Sequence, residues 1–248
     1  MSQALAERYG PDDLEVFDEE ERRRFLPPFG AAESWPTLAP FVAWELLYRK
    51  EPELYERVIA GERIHPQVLA HLESVDRCVE LAAGTGRLTA DLATRCGSIV
   101  AFEPVASFRA TLIAKGFDNV EVRKGFFDAI DVSSDWADLT VSCSAFTADP
   151  RHGGERGLAE MERVTRPGGT IALVWPSDVD WLVEHGFAYE SFEGEMSVEF
   201  SSVEEAVELA RIFYPDAVDE IIRGGSRFVA YDVLGLNAPR DIAWKVLE

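Results

Sequence analysis

The fold is decided by one stretch of sequence, Val79–Thr89, which reads V-E-L-A-A-G-T-G-R-L-T. The apolar run Cys78–Ala82 has the composition of a strand and stops at two glycines, Gly84 and Gly86. A helical pattern then begins at Leu88. In an open α/β sheet, a strand, a glycine turn and a helix in this order build a ligand crevice outside the carboxyl ends of the strands.

A second acidic residue supports a ligand site at this turn. The apolar run Ser98–Phe102 predicts the next strand, and Glu103 stands at its end. A carboxylate in that place can accept hydrogen bonds from both hydroxyls of a ribose, which indicates an adenosine derivative. Dinucleotide sites require glycine or alanine at the last position of G-x-G-x-x-G/A. This chain has Thr89 there, which disfavours a nicotinamide cofactor.

The same residues resemble the cofactor motif of class I S-adenosylmethionine-dependent methyltransferases. The pattern acid-L-x-x-G-x-G-R begins at Glu80, and Leu158–Trp175 resembles that family's helix, Pro-Gly-Gly turn and fifth strand. The resemblance extends over residues 77–177. The family usually has a glycine where Ala82 stands, so the backbone at this position must accommodate a methyl group.

The resemblance implies a Rossmann-like, doubly wound α/β fold with a mainly parallel seven-stranded sheet and an N-terminal helical lid. It divides the chain into a helical cover, residues 1–75, and an S-adenosylmethionine-binding domain, residues 76–248. It also implies S-adenosylmethionine as the cofactor and S-adenosylhomocysteine as the product. The residues expected to bind the cofactor are Glu80, Ala82, Ala83, Gly84, Gly86, Glu103, Pro104, Phe126, Phe127, Asp128 and Ser144.

Three of these residues come from the loop after the predicted third strand, and their assignment is open. In the family, residues after strand three contact the adenine, and Phe126, Phe127 and Asp128 occupy that place. An aromatic side chain can stack on a purine, but a loop phenylalanine belongs to the core as often.

Shorter patterns predict the rest of the domain. Strands are expected at residues 119–123, 136–146, 170–175 and 227–234, and helices at residues 106–115, 155–166, 179–185 and 203–213. The pairing of the strands after residue 178 is not readable from the sequence.

The chemistry of methyl transfer restricts which side chains are needed. Transfer from a sulfonium is an in-line displacement, so the protein mainly holds the methyl group and the acceptor about 3 Å apart. A general base is required only when the acceptor loses a proton, as a hydroxyl does. His152, in the loop after the predicted fourth strand, is the candidate base, and the alternative is a surface histidine. Candidate contacts to the acceptor are Tyr48, His65 and Phe146.

Composition restricts the partners. The 248 residues include 45 acidic and 24 basic side chains, which give a net charge of −21. This charge repels phosphate backbones and anionic membranes, so we expect neither nucleic acid nor membrane as a partner. The signature Asn/Asp-Pro-Pro-aromatic, typical of enzymes that methylate nucleobase or amide nitrogen, is absent at Ser144–Thr147. A small-molecule hydroxyl, amine or carbon acceptor is left by elimination.

The cysteines and the first residues indicate the compartment. Cys78, Cys96 and Cys143 are widely spaced, so we expect reduced thiols and no metal site. The sequence begins without a basic region followed by an apolar run, so we expect no secretory signal and a cytoplasmic protein.

The N-terminal segment, residues 1–75, contains no predicted strand but is rich in aromatic residues. These are Trp35, Phe41, Trp44, Tyr48 and Tyr55. An exposed surface of this kind would associate, so the segment must pack on something. We expect a lid that covers the crevice and excludes water. The alternatives are packing on an outer face of the sheet and a homodimer formed through the same aromatic side chains.

Three functions are compatible with the sequence. A small-molecule methyltransferase is favoured by the two motifs at their observed spacing. A non-catalytic module that binds S-adenosylmethionine and a nicotinamide-dependent oxidoreductase are the alternatives, and Thr89 together with the Pro-Gly-Gly segment disfavours the latter.

Overall fold

The computed structural model describes residues 3–26 and 35–248 of the chain, and these residues form two compact units. The sheet unit comprises Ile64–Gly194 and Pro239–Glu248. The helical unit comprises the described residues of Met1–Arg63 together with Glu195–Ala238. This division differs from the expected boundary between residues 75 and 76. Residues 64–75 belong with the sheet, and a later segment belongs with the N-terminal helices.

Strands and helices alternate through most of the described chain. The strands are β1 (Val75–Leu81), β2 (Cys96–Phe102), β3 (Val120–Arg123), β4 (Ala137–Cys143), β5 (Thr165–Val174), β6 (Ala188–Ser191), β7 (Ser197–Glu199), β8 (Phe228–Ala230) and β9 (Asp241–Val246). The α-helices are α1 (Gln3–Ala6), α2 (Glu19–Phe25), α3 (Trp35–Lys50), α4 (Pro52–Ile59), α5 (Pro66–His71), α6 (Arg87–Leu92), α7 (Ala106–Ala114), α8 (Gly154–Val164), α9 (Val179–Glu184), α10 (Val203–Phe213) and α11 (Val218–Gly224). Short 3-10 helices lie at Pro11–Val16, Pro150–His152 and Pro215–Ala217.

Seven of the strands form one sheet in the order β3-β2-β1-β4-β5-β9-β6. The strands from β3 to β5 run parallel, and β9 is antiparallel to both of its neighbours, β5 and β6. At the centre of the sheet, Cys78 on β1 pairs with Ile99 on β2 and with Leu139 on β4. The expected α/β fold with a mainly parallel seven-stranded sheet is confirmed.

Helices cover both faces of this sheet. Cys78 belongs to a buried cluster with Leu88 of α6 and Leu112 of α7, whereas its neighbour Val79 belongs to a second cluster with Met161 of α8. Successive residues of β1 therefore face opposite cores, as a doubly wound fold requires. Because both faces are buried, these strands contain short apolar runs, such as Ile99–Phe102 of β2 and Ile171–Val174 of β5, and these runs made them recognisable in the sequence.

The strand expected at residues 227–234 is present but shorter, and it is not the last strand of the chain. Within this segment the extended part is β8, which pairs with β7 in a separate two-stranded sheet of the helical unit. The last strand of the large sheet is β9, whose sequence D-I-A-W-K-V follows a long irregular stretch. Since β6 and β9 are antiparallel neighbours, residues 195–238 form an insertion between two strands that lie side by side.

The Pro-Gly-Gly segment at residues 167–169 lies inside β5 rather than between a helix and a strand. Helix α8 ends at Val164, two residues before its predicted end, and the pairing of β5 with β4 shifts register between Ala137 and Leu139. A Cβ on Gly169 would lie 2.9 Å from the carbonyl oxygen of Asp138. The glycine therefore allows the two backbones to approach closely at this irregularity.

The helical unit packs around a buried ion cluster. The side chain of Arg49 on α3 is 5% exposed and lies 3.0 Å from a carboxylate oxygen of Glu21 and 2.6 Å from one of Glu45. Its guanidinium also lies over the ring of Phe17, at 4.6 Å, and over that of Phe25, at 5.3 Å. The two carboxylates offset the free-energy cost of removing the guanidinium from water. A buried guanidinium without such partners would be strongly destabilising.

Aromatic side chains of the N-terminal segment pack within the helical unit. Trp44 stacks on Phe213 of α10 with ring centres 5.5 Å apart, and Tyr48 lies edge-on to Tyr55 at 4.9 Å. Phe41, in contrast, is half exposed. The expectation that residues 1–75 act as a lid stays a prediction. In residues 3–26 and 35–248, none of the helices has the length and apolar character needed to cross a membrane.

Candidate cofactor site

The turn after β1 is built from residues in the left-handed backbone conformation. Ala82 has φ +53°, Gly84 +58° and Gly86 +96°. The amide of Ala83 donates to the carbonyl of Phe102 on β2 at 3.0 Å, which holds the turn against the next strand. Glycine adopts this conformation freely, whereas alanine does so at a cost of roughly 1–2 kcal/mol. Ala82 therefore occupies a position that favours glycine.

The two glycines of the turn face different surroundings. A Cβ on Gly84 would have no described atom within 4 Å, whereas a Cβ on Gly86 would lie 2.5 Å from Cδ1 of Leu112. Gly84 thus borders space that a ligand can fill. The missing side chain of Gly86 makes room for Leu112 of α7, so the expected contact between Gly86 and the cofactor stays a prediction.

Glu103 connects the loops that follow β1 and β2. Its side chain is buried, and Oε2 accepts a hydrogen bond from the amide of Gly84 at 2.9 Å while Oε1 accepts one from the amide of Val105 at 2.8 Å. These bonds fix the carboxylate at the tip of β2, directly beside the glycine turn. A carboxylate has about four lone-pair sites, so this role is compatible with accepting the hydroxyls of a ribose.

Glu80 supports the turn from its buried side. The residue is 2% exposed, and Oε2 accepts a hydrogen bond from the hydroxyl of Thr89 at 2.7 Å. Burial raises the pKa of Glu80 to about 8, and the hydrogen bond from Thr89 opposes that increase. Thr89, which stands where dinucleotide motifs have a small residue, therefore ties the first turn of α6 to β1. Sequence reasoning missed this partnership.

Backbone strain marks the same edge of the sheet. Ala82, Ser144 and Trp175 have φ of +53°, +57° and +53°, and they directly follow β1, β4 and β5. These strands are neighbours at the centre of the sheet. Of the described non-glycine residues with positive φ, the remaining one is Asp135, which precedes β4. Strained residues cluster at functional sites, so these three residues favour the carboxyl edge of the sheet as the place of the site.

The polar groups and the free space at this edge suit an adenosine cofactor. Glu103 can accept hydrogen bonds from a ribose, and the space beside Gly84 allows the cofactor to approach the backbone. In the part of the chain that the structure describes, no three His, Cys, Asp or Glu side chains are grouped so as to hold a metal ion.

A comparison with known proteins matches this part of the chain. A family model described as a methyltransferase domain matches residues 78–169, which span β1, the glycine turn, Glu103 and the start of β5. Residues 78–169 are therefore similar to the methyltransferase domain family. S-adenosylmethionine is the cofactor of this family.

Relatives match over the same domain. An uncharacterised methyltransferase of Mycobacterium tuberculosis is 33% identical over 114 residues, which cover 44% of this chain and 45% of the relative. An uncharacterised methyltransferase of Schizosaccharomyces pombe is 31% identical over 108 residues, which cover 42% of this chain and 41% of the relative. The chain thus spans somewhat less than half the length of these curated relatives.

A solved structure shows the fold. It is the complex between the Trm112 methyltransferase activator of Haloferax volcanii and a methyltransferase. A chain of that complex is 16% identical to this one and aligns with 79% of this chain and 94% of its own length, at a TM-score of 0.52. At this identity the similarity concerns the fold alone.

The three residues expected to contact the adenine have other partners in the structure. Phe127 packs edge-on against Phe146 at 5.2 Å, which favours the core alternative for Phe127. Asp128 forms an ion pair with Arg156 at 3.5 Å, and Lys124 lies 5.8 Å from the ring centre of Phe126. For Phe126 and Asp128, contact with the adenine stays a prediction.

Two further expected cofactor residues lie at strand ends. The carbonyl of Pro104, just after β2, accepts a hydrogen bond from Arg109 at 2.7 Å. Ser144 is exposed directly after β4, and its amide donates to the carbonyl of Val174 at 2.9 Å. Both residues lie at the carboxyl edge of the sheet, and their contacts with the cofactor stay predictions.

The expected contact of Phe146 with the acceptor stays a prediction, and the structure gives the ring a packing role. Its ring is 5% exposed and lies 6.2 Å from that of Trp181, within a buried cluster of the domain. Gly153 leaves room for the ring, because a Cβ there would lie 2.3 Å from Cε2 of Phe146. Phe146 is therefore a core residue in this structure.

His152, the candidate base, ends the 3-10 helix Pro150–His152 in the loop after β4. It is half buried, and its amide donates to the carbonyl of Asp149 at 2.9 Å. Arg151 pairs with the carboxylate of Asp149 and lowers its pKa to about 2. Asp149 is thus engaged by Arg151, and the role of His152 as a base stays a prediction.

The remaining substrate candidates, Tyr48 and His65, lie in different units. Tyr48 packs in the helical unit as described above. His65 begins α5 in the sheet unit, where its Nδ1 accepts a hydrogen bond from the amide of Gln67 at 3.2 Å and its ring stacks on Phe192 at 5.8 Å. These contacts give His65 a structural role, and its contact with an acceptor stays a prediction.

Proposed function

We propose that the chain transfers a methyl group from S-adenosylmethionine to a small-molecule acceptor, a hydroxyl, an amine or a carbon. The observation that carries this proposal is the position of Glu103, whose carboxylate joins the glycine turn after β1 to the loop after β2. Glu103 would hold the ribose, and Gly84 would let the cofactor approach the backbone.

When bound, the cofactor supplies a methyl group that is already activated by its sulfonium. The chain's own residues bind and orient: Glu103 fixes the ribose end, and Glu80 with Thr89 stabilises the turn beneath it. If the acceptor is a hydroxyl, His152 is the residue we propose to take its proton, since a neutral imidazole can accept a proton near pH 7.

The small size of the acceptor is supported by charge. A net charge of −21 disfavours phosphate-rich substrates such as nucleic acid, which leaves small molecules as the favoured acceptors. The cytoplasmic location and the homodimer considered from the sequence belong to the same proposal.

Titration calorimetry tests the cofactor. We expect binding of S-adenosylhomocysteine and none of NAD, and the reverse result would favour the oxidoreductase. Transfer is tested with a tritiated methyl donor against a panel of small hydroxyl, amine and carbon-acid acceptors. Binding of S-adenosylhomocysteine without transfer to any member of a broad panel would favour the non-catalytic module instead.

A further inference from the structure

The loop that carries Glu103 is held by a side chain from the helix that follows it. Nη1 of Arg109 donates to the carbonyl of Glu103 at 2.8 Å and to the carbonyl of Pro104 at 2.7 Å. Arg109 lies in the first turn of α7, which begins at Ala106, so its side chain reaches back past the start of the helix. The guanidinium thus joins α7 to the tip of β2.

The two carbonyls lie between two regular elements. Strand β2 ends at Phe102, and that residue is also the last of β2 in register with β3. Helix α7 takes its first backbone acceptor from Val105, whose carbonyl accepts from the amide of Arg109 at 3.1 Å. Backbone carbonyls away from water need a hydrogen-bond donor, and here the side chain of Arg109 provides one. Arg109 therefore stabilises the connection between the strand and the helix.

The same connection fixes the carboxylate of Glu103. One of its hydrogen bonds comes from the amide of Val105 at 2.8 Å, two residues further along the chain. The other comes from the amide of Gly84 in the glycine turn, at 2.9 Å. A displacement of residues 103–105 would therefore move the carboxylate and one of its donors away from the turn. Arg109 restrains this segment from the side of the helix.

A guanidinium is suited to this task. A terminal guanidinium nitrogen carries two N–H groups in a fixed plane, so Nη1 can donate to two carbonyls at once. The neighbouring hydroxyls of a ribose have a fixed separation, and a carboxylate accepts both well only if its oxygens keep their places. Groups that hold a binding side chain in place change affinity without touching the ligand.

Resting on the proposed function, we propose that Arg109 is a positioning residue for the ribose of the cofactor. It fixes residues 103–105 through the carbonyls of Glu103 and Pro104, and in this way it fixes the carboxylate of Glu103. The ribose binds to the carboxylate and makes no contact with Arg109.

Titration calorimetry on the full chain compares two ligands. These are S-adenosylhomocysteine and its 2′,3′-dideoxy analogue, which lacks both ribose hydroxyls. Arg109→Met keeps an unbranched side chain but removes the donors, so we expect it to weaken S-adenosylhomocysteine about tenfold and to change the affinity for the analogue little. Arg109→Lys should restore part of the loss, since an ammonium also has more than one N–H donor.

A double variant separates positioning from direct contact. If Arg109 acts through Glu103, adding Arg109→Met to Glu103→Ala should weaken S-adenosylhomocysteine little further, because the carboxylate to be positioned is already gone. If the two losses instead multiply, Arg109 acts on the ligand independently of Glu103, and the proposal is overturned.

Arg163→Met is the matched control. Arg163, near the end of α8, donates to the carbonyl of Ile130 at 2.8 Å and to that of Val132 at 2.9 Å, so it holds a different loop in a similar way. Its removal should lower the melting temperature, as Arg109→Met does, but should leave both affinities unchanged.

The ratio of the two affinities decides the outcome. The proposal is overturned if Arg109→Met leaves S-adenosylhomocysteine binding unchanged. It is also overturned if the variant weakens both ligands by the same factor, as a general loss of structure would. Arg109→Gln, with a shorter side chain, gives the same comparison if Arg109→Met does not fold. Failure of the unaltered protein to bind S-adenosylhomocysteine would instead refute the proposed function.

Discussion

At the scale of single residues, Glu103 is the proposed contact to the ribose of the cofactor. Glu103→Gln replaces a carboxylate by a neutral amide, so we expect S-adenosylhomocysteine to bind roughly tenfold to a hundredfold more weakly. The variant should also melt earlier, because the amide group cannot accept hydrogen bonds from both Gly84 and Val105. Calorimetry on the folded variant measures the first effect. An unchanged affinity would remove Glu103 from the ribose site. Glu121→Gln, on the exposed end of an ion pair with Arg123, serves as the surface control.

Glu80 makes a prediction about pH. Its pKa is raised from 4.5 to about 8 by burial, so the folded protein keeps a proton that the unfolded chain releases near pH 4.5. The free energy of unfolding should therefore decrease between pH 4.5 and 8, at most by about 1.4 kcal/mol for each pH unit. Glu80→Gln keeps an acceptor for Thr89 but cannot titrate. Urea unfolding from pH 5 to 8 should show a flatter dependence for the variant, and parallel curves would contradict the assignment.

At the scale of elements, the two glycines of the turn have different roles: Gly84 borders open space, and Gly86 packs against helix α7. Gly84→Ala should cost roughly 1 kcal/mol of stability through its positive φ and should weaken S-adenosylhomocysteine, because the added methyl group enters the space beside the turn. Gly86→Ala should instead act on stability, by roughly 1–3 kcal/mol, since its Cβ meets Leu112.

The pair is tested by urea unfolding and calorimetry on both variants. The double variant Gly86→Ala with Leu112→Val should be destabilised by less than the sum of the two single changes. The reason is that valine lacks the Cδ1 atom that the new Cβ meets. Strict additivity would show that Leu112 is not the group in conflict.

The elements also show what the sequence can predict. The strands β1, β2, β4 and β5 are recognisable because both of their faces are buried, and the helix at residues 203–213 is recognisable by its polar and apolar faces. The neighbours β6 and β9 are separated by an insertion, so no local pattern links them. The segment 227–234 alternates like a strand, but alternation does not specify which sheet it joins.

The same limit applies to the site. Glu80, Glu103 and the glycines follow from position in a motif, because strand ends meet at one edge of a parallel sheet. Two other contacts do not belong to any motif. The hydroxyl of Thr89 donates a hydrogen bond to Glu80, and the guanidinium of Arg87 lies over the ring of Trp175, which is far away in the sequence. Side-chain pairing of this kind depends on the register of the sheet, which a single sequence does not contain.

At the scale of the whole molecule, the chain leaves the sheet unit after β6 and returns to it before β9. The helical unit is therefore assembled from an N-terminal segment and an insertion. Its parts depend on each other, since Arg57 on α4 pairs with Glu205 on α10 and the amide of Glu199 donates to the carbonyl of Gly61 at 3.2 Å. A Cβ on Gly61 would lie 2.0 Å from the carbonyl oxygen of Glu199, so this contact is a close backbone one.

The topology predicts that the sheet unit folds on its own. The amide of Phe192 donates to the carbonyl of Arg240 at 2.8 Å, and Ser191 pairs with Asp241, so the two ends of the insertion already lie at hairpin distance. We expect a variant that lacks residues 1–63, and in which Asn-Gly replaces residues 193–239, to close β6 and β9 as a type I′ hairpin. It should melt cooperatively in circular dichroism and bind S-adenosylhomocysteine, because the glycine turn, Glu80 and Glu103 lie in the sheet unit.

The informative comparison is a variant that lacks residues 1–63 alone. Removing only this segment takes away the partners of the insertion, including Arg57 and Gly61, and uncovers the ring of Phe213 on α10, on which Trp44 stacks. We therefore expect the singly shortened variant to be less stable and more prone to associate than the doubly shortened one, which size-exclusion chromatography and thermal unfolding measure. The opposite order, or a doubly shortened variant that folds but does not bind S-adenosylhomocysteine, would show that the cofactor site needs the helical unit.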